Sequence, residues 1–155
     1  MDKVDYRILE CLKKNARMTT SDIGKCINMS VSAVSERIKR LESSGVISQY
    51  TAILDRQKVG QDVKAFIMIK IENPEKYMDT VEAMMSSDPH ILEAHVVAGG
   101  FDYLLKVVAR STQALNQLLN VIKSTKGVRD TNTIIVLDTL KEEFTIMPDE
   151  DMVVK

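Results

Sequence analysis

Apolar positions recur at helical spacing through the first third of the chain and mostly alternate, strand-like, through the remainder. Ile8, Leu9 and Leu12, with Val4 or Asp5 a turn earlier, form the stripe of a first helix that Asp2 can cap. Arg17-Met18-Thr19-Thr20 breaks it. Thr19-x-x-Asp22 then opens a short second helix, reaching about Ile27, in the manner of a capping box. Asn28 tolerates the left-handed conformation of a tight inter-helix turn, and Ser30 is a good N-cap. A third helix runs from Val31 to Ser43, with Val34, Ile38 and Leu41 as its buried stripe. The opposite face holds Ser32, Glu36, Lys39 and Arg40, flanked by Ser35 and Arg37. Gly45 ends this helix as a left-handed C-cap. Val46 to Leu54 is rich in β-formers and reads as a wing, or as a strand leading out of the helical unit.

The second half changes period. Val63, Ala65, Ile67, Ile69 and Ile71 alternate onto one face, and Lys64, Phe66, Met68 and Lys70 onto the other, which is thus partly apolar too. Pro74 starts a helix with Tyr77, Val81, Met84 and Met85 at helical spacing. Leu92 to Ala98 and Phe101 to Ala109 are predicted strands around Gly99-Gly100, a hairpin signal. Ala114, Leu115, Leu118, Leu119 and Ile122 predict another amphipathic helix, closed by Lys126-Gly127. Val128 to Leu140 is a last strand-like run. The order βαββαβ is the ferredoxin-like unit. Two helices cover one face of such a sheet, so its second apolar face calls for burial against another copy. The fold class is therefore α+β: a helix-turn-helix domain at 1–50, a linker strand or hinge at 51–61, a ferredoxin-like domain at 62–145, and an acidic tail at 146–155.

Charge divides along the same line. Residues 1–60 carry 11 Lys/Arg and 7 Asp/Glu, whereas residues 61–155 carry 10 and 15. The basic half is the candidate partner of a polyanion. On one helix alone, a charged outer face reads first as an ordinary solvated surface. The preceding helix, the turn and the Gly45 stop favour helix-turn-helix logic. Short Ser30, Ser32 and Ser35 side chains allow close approach to a groove. Arg37, Lys39 and Arg40 suit phosphate or guanine, and Glu36 can accept from cytosine N4.

The chain resembles the Lrp/AsnC, or feast/famine, transcriptional regulators. The resemblance rests on Asp2-x-x-Asp5-x-x-Ile8-Leu9, on Asn15-Ala16-Arg17-Met18, and on the stretch from Met29-Ser30 through Arg37-Ile38-Lys39-Arg40-Leu41-Glu42 to Gly45-Val46-Ile47 and Tyr50-Thr51-Ala52. It continues in Gly99-x-x-Asp102-Tyr103-Leu104-Leu105-Lys106-Val107 and Gly127-Val128-x-x-Thr131-x-Thr133. It implies a winged helix-turn-helix joined to a RAM/ACT-like domain. It also implies a dimer through the sheet, often extended to a tetramer or octamer, on pseudo-palindromic double-stranded DNA. Val31 stands where the family often has proline.

Read from the residues alone, the Gly99-Gly100-Phe101-Asp102-Tyr103 loop suits a zwitterionic amino acid. Glycines admit a carboxylate to backbone N–H groups, Asp102 can receive an amino group, and Tyr103 can close an apolar wall. A tight turn whose aspartate bonds backbone accounts for the same residues. Family effector pockets lie at this loop, between subunits. Gly99, Asp102 and Tyr103 match its motif, Gly100 replaces a residue that is often acidic, and Thr131, Thr133 and Ile135 correspond to the strand that completes the pocket. No cofactor or metal is expected beyond that amino-acid effector.

Composition adds limits. Of 155 residues, 45% are hydrophobic and 28% charged, ample for a core and against disorder. No run approaches the ~20 apolar residues of a membrane span. The N-terminus has no apolar signal core, so a cytoplasmic protein is expected. Cys11 and Cys26 make neither a disulfide framework nor a zinc pattern and read as small buried hydrophobes. His90 and His95 lack partners at metal spacing. Two alternatives remain: an enzyme like the siroheme decarboxylases, which share this plan and would draw on His90, His95 and Arg110, and a ligand-independent DNA-organising protein.

Overall fold

The computed structural model describes residues 1–149 and divides them into two compact units. The first comprises Met1–Ile53 together with residues 141–149; the second is Leu54–Leu140. Within the first unit, Lys13 Nζ meets Glu143 Oε2 at 3.0 Å. The division places residues 141–145 with the helical unit rather than with the sheet. The tail expected at 146–155 lies mostly outside the described residues.

The helical unit contains α1 (Lys3–Lys14), α2 (Thr20–Ile27) and α3 (Val31–Ser43). Each begins on the cap that its sequence supplies. Asp2 accepts from the Val4 and Asp5 N–H groups at 2.9 Å, and the Asp5 carboxylate answers by accepting from the Asp2 N–H at 3.1 Å. Thr19 Oγ1 accepts from Asp22 N–H, and Ser30 Oγ from Ala33 N–H. Asn28 adopts φ 57° and ψ 52°, the left-handed turn expected between α2 and α3. The turn is tight enough that a Cβ on Gly24 would stand 2.7 Å from the Met29 carbonyl oxygen. Ile8, Ile23, Ile27, Val34 and Leu41 form the core, with Ile38 packed against it. Gly45 has φ +76°. Residues 46–54 join no ladder, contrary to the strand or wing expected there. Their β-formers Val46, Tyr50, Ile53 and Leu54 stay about half exposed or more; the segment is held by the Ile47 N–H on Leu41 C=O (3.1 Å) and by Tyr50 Oη on Glu42 Oε1 (3.0 Å).

The second unit is β1 (Val63–Ile71), α4 (Pro74–Ser87), β2 (Ile91–Val96), β3 (Tyr103–Ala109), α5 (Thr112–Ser124) and β4 (Val128–Ile135). The strands form one antiparallel sheet ordered β2-β3-β1-β4, the ferredoxin-like arrangement. Ala65, Ile67, Ile69, Tyr103, Leu105 and Val107 are buried beneath Val81 and Met85 of α4 and Leu115, Leu118 and Ile122 of α5. Two boundaries differ from the pattern-based expectation. The β2–β3 connection spans residues 97–102 rather than two glycines, and the Asp102 side chain at its end bonds Ile71 of β1. Strand β4 stops at Ile135. Beyond it only the Val136 N–H reaches Lys64 C=O, and Leu137 and Leu140 are almost fully exposed.

The other face of the sheet carries Phe66, Met68, Leu104 and Ile134 in neighbouring register positions. The helices of this unit, α4 and α5, pack on the opposite face. Ile134 is 52% exposed. Around this patch run the pairs Lys70–Asp102 and Lys106–Glu93, with His95 also on Glu93.

Candidate nucleic-acid interface and effector loop

On α3, Ser32, Glu36 and Lys39 are exposed, Arg40 is exposed, and Ser35 is half-buried. Ser30 is exposed too, but its hydroxyl is engaged as the N-cap and lies 3.2 Å from Ser32 Oγ. The helix thus turns an unbroken row of short and charged side chains to solvent, while Val34 and Leu41 root it in the core.

Arg37 is placed differently from the free phosphate ligand that spacing suggests. Its Nη1 lies 2.7 Å from Asp2 Oδ2 and 2.8 Å from Asp5 Oδ1, and its side chain is 23% exposed. Arg40 Nη2 sits 3.2 Å and 3.3 Å from the two Asp5 oxygens, yet its side chain remains 59% exposed. Asp5 itself is 3% exposed. Burial pushes its carboxyl up, but the Asp2 N–H and the Arg37 guanidinium outweigh that and hold it below the usual carboxylate range. The Asp5 N–H, opposed by burial and helped by Arg37, does the same for Asp2. Asp2 and Asp5 are the residues that periodicity missed as part of this site. The available signal was Asp5 itself, a carboxylate in line with the apolar stripe of α1, which demands a cation.

In the sheet unit, Asp102 is likewise engaged. Its Oδ2 accepts from the Ile71 N–H at 2.8 Å and its Oδ1 meets Lys70 Nζ at 3.0 Å. The Ile71 N–H and then Lys70 hold its carboxyl low against some burial. Its own N–H donates to Ile69 C=O of β1, and its C=O accepts from Val97 N–H, which joins the two ends of the loop. Tyr103 forms no wall of that loop. It is 3% exposed in the core, and its hydroxyl donates to Glu82 Oε1 of α4 at 2.8 Å. Burial, then Glu82, push the phenol up to about 12.

Gly99 has φ +147°, which an L side chain rarely adopts, whereas Gly100 has no such angle. A Cβ on either would meet nothing within 4 Å. The chain's own packing therefore leaves open space over the loop. Thr131, Thr133 and Ile135 stand opposite Ile69, Ile67 and Ala65 on β4, so β1 separates them from β3. The single chain does not bring the loop and these residues together. A hollow of about 360 Å³, lined by Arg110, Ser111, Gln113, Ala114 and Gln117, lies at the start of α5 and includes none of them. His90 Nδ1 is 3.0 Å from Asp88 and His95 Nε2 is 3.2 Å from Glu93. Among the described residues no group of three or more His, Cys, Asp or Glu is gathered as a metal site. No described helix is long and apolar enough to cross a membrane.

A helix-turn-helix unit on a tight turn and a ferredoxin-like unit in one chain define a class of DNA-binding transcriptional regulators. The profile of the winged helix-turn-helix DNA-binding domain matches residues 1–48, and that of the Lrp/AsnC ligand binding domain matches residues 64–146. The chain belongs to the Lrp/AsnC family. It is 34% identical over 142 residues to the HTH-type transcriptional regulator FL11 of Pyrococcus furiosus, covering 92% of this chain and 93% of that one. Among solved structures, a transcriptional regulator of Neisseria meningitidis in complex with L-methionine has a TM-score of 0.93 at 28% identity, covering 99% of both chains. The feast or famine regulatory protein of M. tuberculosis complexed with L-methionine has a TM-score of 0.86 at 33% identity, covering 95% of this chain and 99% of that one.

Proposed function

We propose that this regulator works in the cytoplasm as a two-fold dimer on pseudo-palindromic double-stranded DNA and is modulated by a small amino acid bound between subunits. The observation that carries the DNA reading is the exposed row Ser32, Glu36 and Lys39 on a helix whose opposite face is locked into the core. Lys39 and Arg40 neutralise phosphate, Ser32 and Ser35 allow close approach, and Glu36 accepts from a cytosine amino group. Ser30 contributes as the cap that orders the first turn. Arg37 acts through α1: it fixes the angle at which α3 leaves the core.

The apolar face around Phe66, Met68, Leu104 and Ile134 supports a dimer through the sheet, which presents two α3 helices to one duplex. Further association into tetramers or octamers puts loop 97–102 of one subunit beside another. That supports an effector site built from Gly99, Gly100 and Asp102, completed across subunits by Thr131, Thr133 and Ile135. The relatives solved with L-methionine make methionine the first ligand to test.

The test is selection from a random duplex pool, followed by fluorescence-anisotropy titration of the selected site with and without each common amino acid. A two-fold symmetric consensus, with affinity altered by methionine or a similar amino acid, is expected. Recovery of no consensus would overturn sequence-specific recognition. An affinity indifferent to every amino acid would leave a DNA-organising protein.

A further inference from the structure

The sheet unit leaves a strand edge open. β2 stands at one end of the order β2-β3-β1-β4, and every residue from Leu92 to Val96 is exposed. Such an edge presents N–H and C=O groups that another strand can pair. Two hydrogen bonds fix which groups those are. The Val97 N–H donates to Asp102 C=O and the Val108 N–H to His90 C=O, so β3 turns its even-numbered residues toward β2. Glu93 lies opposite Lys106 and His95 opposite Leu104, so both direct their backbone groups at β3. In a planar trans peptide the C=O and the next N–H point opposite ways. The Ala94 N–H and C=O, the Val96 N–H and the Leu92 C=O therefore point off the sheet. A ladder irregularity between Ile91 and Glu93 ends the free run at Leu92.

We propose that β2 is a self-pairing edge, on which a second copy of this chain lays its own β2 antiparallel about a two-fold axis at Ala94. In that register each Ala94 exchanges N–H and C=O bonds with its copy, and each Val96 N–H donates to the partner's Leu92 C=O. The side chains complement one another as well. Leu92 stands opposite the partner's Val96, and Glu93 opposite the partner's His95. Leu92 is 54% and Val96 78% exposed in the single chain, so the pairing removes apolar surface from water. Glu93 already draws His95 of its own strand to 3.2 Å and Lys106 of β3 to 3.1 Å, and the partner's imidazole meets the same carboxylate. Moving the axis to Glu93 sets two carboxylates face to face, and moving it to His95 sets two imidazoles face to face; both lose the acid–base match. Backbone direction and side-chain charge thus select one register. The contact uses the edge of the sheet and stands apart from the dimer proposed through its Phe66 face. Loop 97–102 follows directly on β2, so the contact sets that loop at a subunit boundary.

Cross-linking of the full-length protein, with Cys11→Ser and Cys26→Ser as background, tests the register. Residues facing each other in a hydrogen-bonded antiparallel pair have Cα atoms about 5.5 Å apart, within the reach of a disulfide. Ala94→Cys is expected to give disulfide-linked pairs of chains under mild oxidation. Leu92→Cys and Val96→Cys chains are expected to link when mixed, and neither to link with itself. His95→Cys, displaced along the strand from its own copy, is expected to stay unlinked. Ala94→Pro removes an N–H that points off the sheet, so its far-ultraviolet circular dichroism is expected to match wild type. Sedimentation velocity is expected to show the mass of the assembly halved in that variant. Unlinked chains at Ala94→Cys would overturn the proposal. So would equal linking at His95→Cys, or an assembly whose mass Ala94→Pro leaves unchanged.

Discussion

Arg37 of the helical unit and Asp102 of the sheet unit are two charged residues to which patterning assigns ligands, and each is held by partners in its own chain. What holds them differs. Arg37 reaches two carboxylates on another helix, and one of these, Asp5, is 3% exposed and owes its charged state partly to that arginine. Asp102, with a side chain 30% exposed, accepts a backbone N–H and pairs with the neighbouring-strand Lys70. In the first case the charge is structural and removal strands a buried partner. In the second the charge orders a loop whose open side still faces solvent. A charged side chain near a binding surface is thus not itself the reader of the ligand; burial of its partner decides its role.

The largest effect that would sharpen this contrast is Arg37→Ala. Asp5 then keeps the Asp2 N–H but only the more exposed Arg40 as a cation, and the helical unit is expected to lose about 2–3 kcal/mol, measured by urea denaturation. A loss no greater than that of an exposed lysine would erase the distinction. Asp102→Asn keeps an acceptor for the Ile71 N–H but drops the pair with Lys70. A smaller loss, about 1–2 kcal/mol, is expected, with faster amide exchange confined to residues 97–102 and Ile71.

Alkali, unlike acid, is expected to distinguish the units. Asp2, Asp5 and Asp102 all have carboxyls held below their unfolded value, so their stabilisation is present above about pH 4 and is lost as pH falls through the lowered values. Both units weaken in acid. Tyr103 is raised to about 12, so its contribution is complete below the unfolded phenol value of about 10 and is lost as pH rises toward 12. Thermal melts at rising alkaline pH are expected to show that loss in the sheet unit. Tyr103→Phe, costing about 1 kcal/mol at neutral pH for the lost Glu82 bond, is expected to abolish it.

What the sequence made legible was local. Asp2, Thr19, Ser30 and Asn28 act within three residues of themselves, so their caps and turn are readable from spacing alone. The covered face of β1 is legible for the same reason, because alternation is a property of the strand. The partners of Arg37 lie 32 and 35 residues away and belong to no periodic pattern. Tyr103 read as a pocket wall because its motif says nothing of which face of β3 it occupies; its cross-strand partner Ile69 puts it in the core. Residues 46–54 and 136–140 have β-forming composition, yet strands need ladder partners, and composition does not supply them.

The central claim is that the outer face of α3 contacts DNA while Arg37 only positions it. It is tested most directly by the salt dependence of DNA affinity in wild type and Lys39→Ala. Lys39 is exposed, so the variant is expected to melt within about 0.5 kcal/mol of wild type. It is also expected to bind more weakly on every duplex, with the slope of log affinity against log salt smaller by about one. An unchanged affinity and slope in Lys39→Ala would contradict the account.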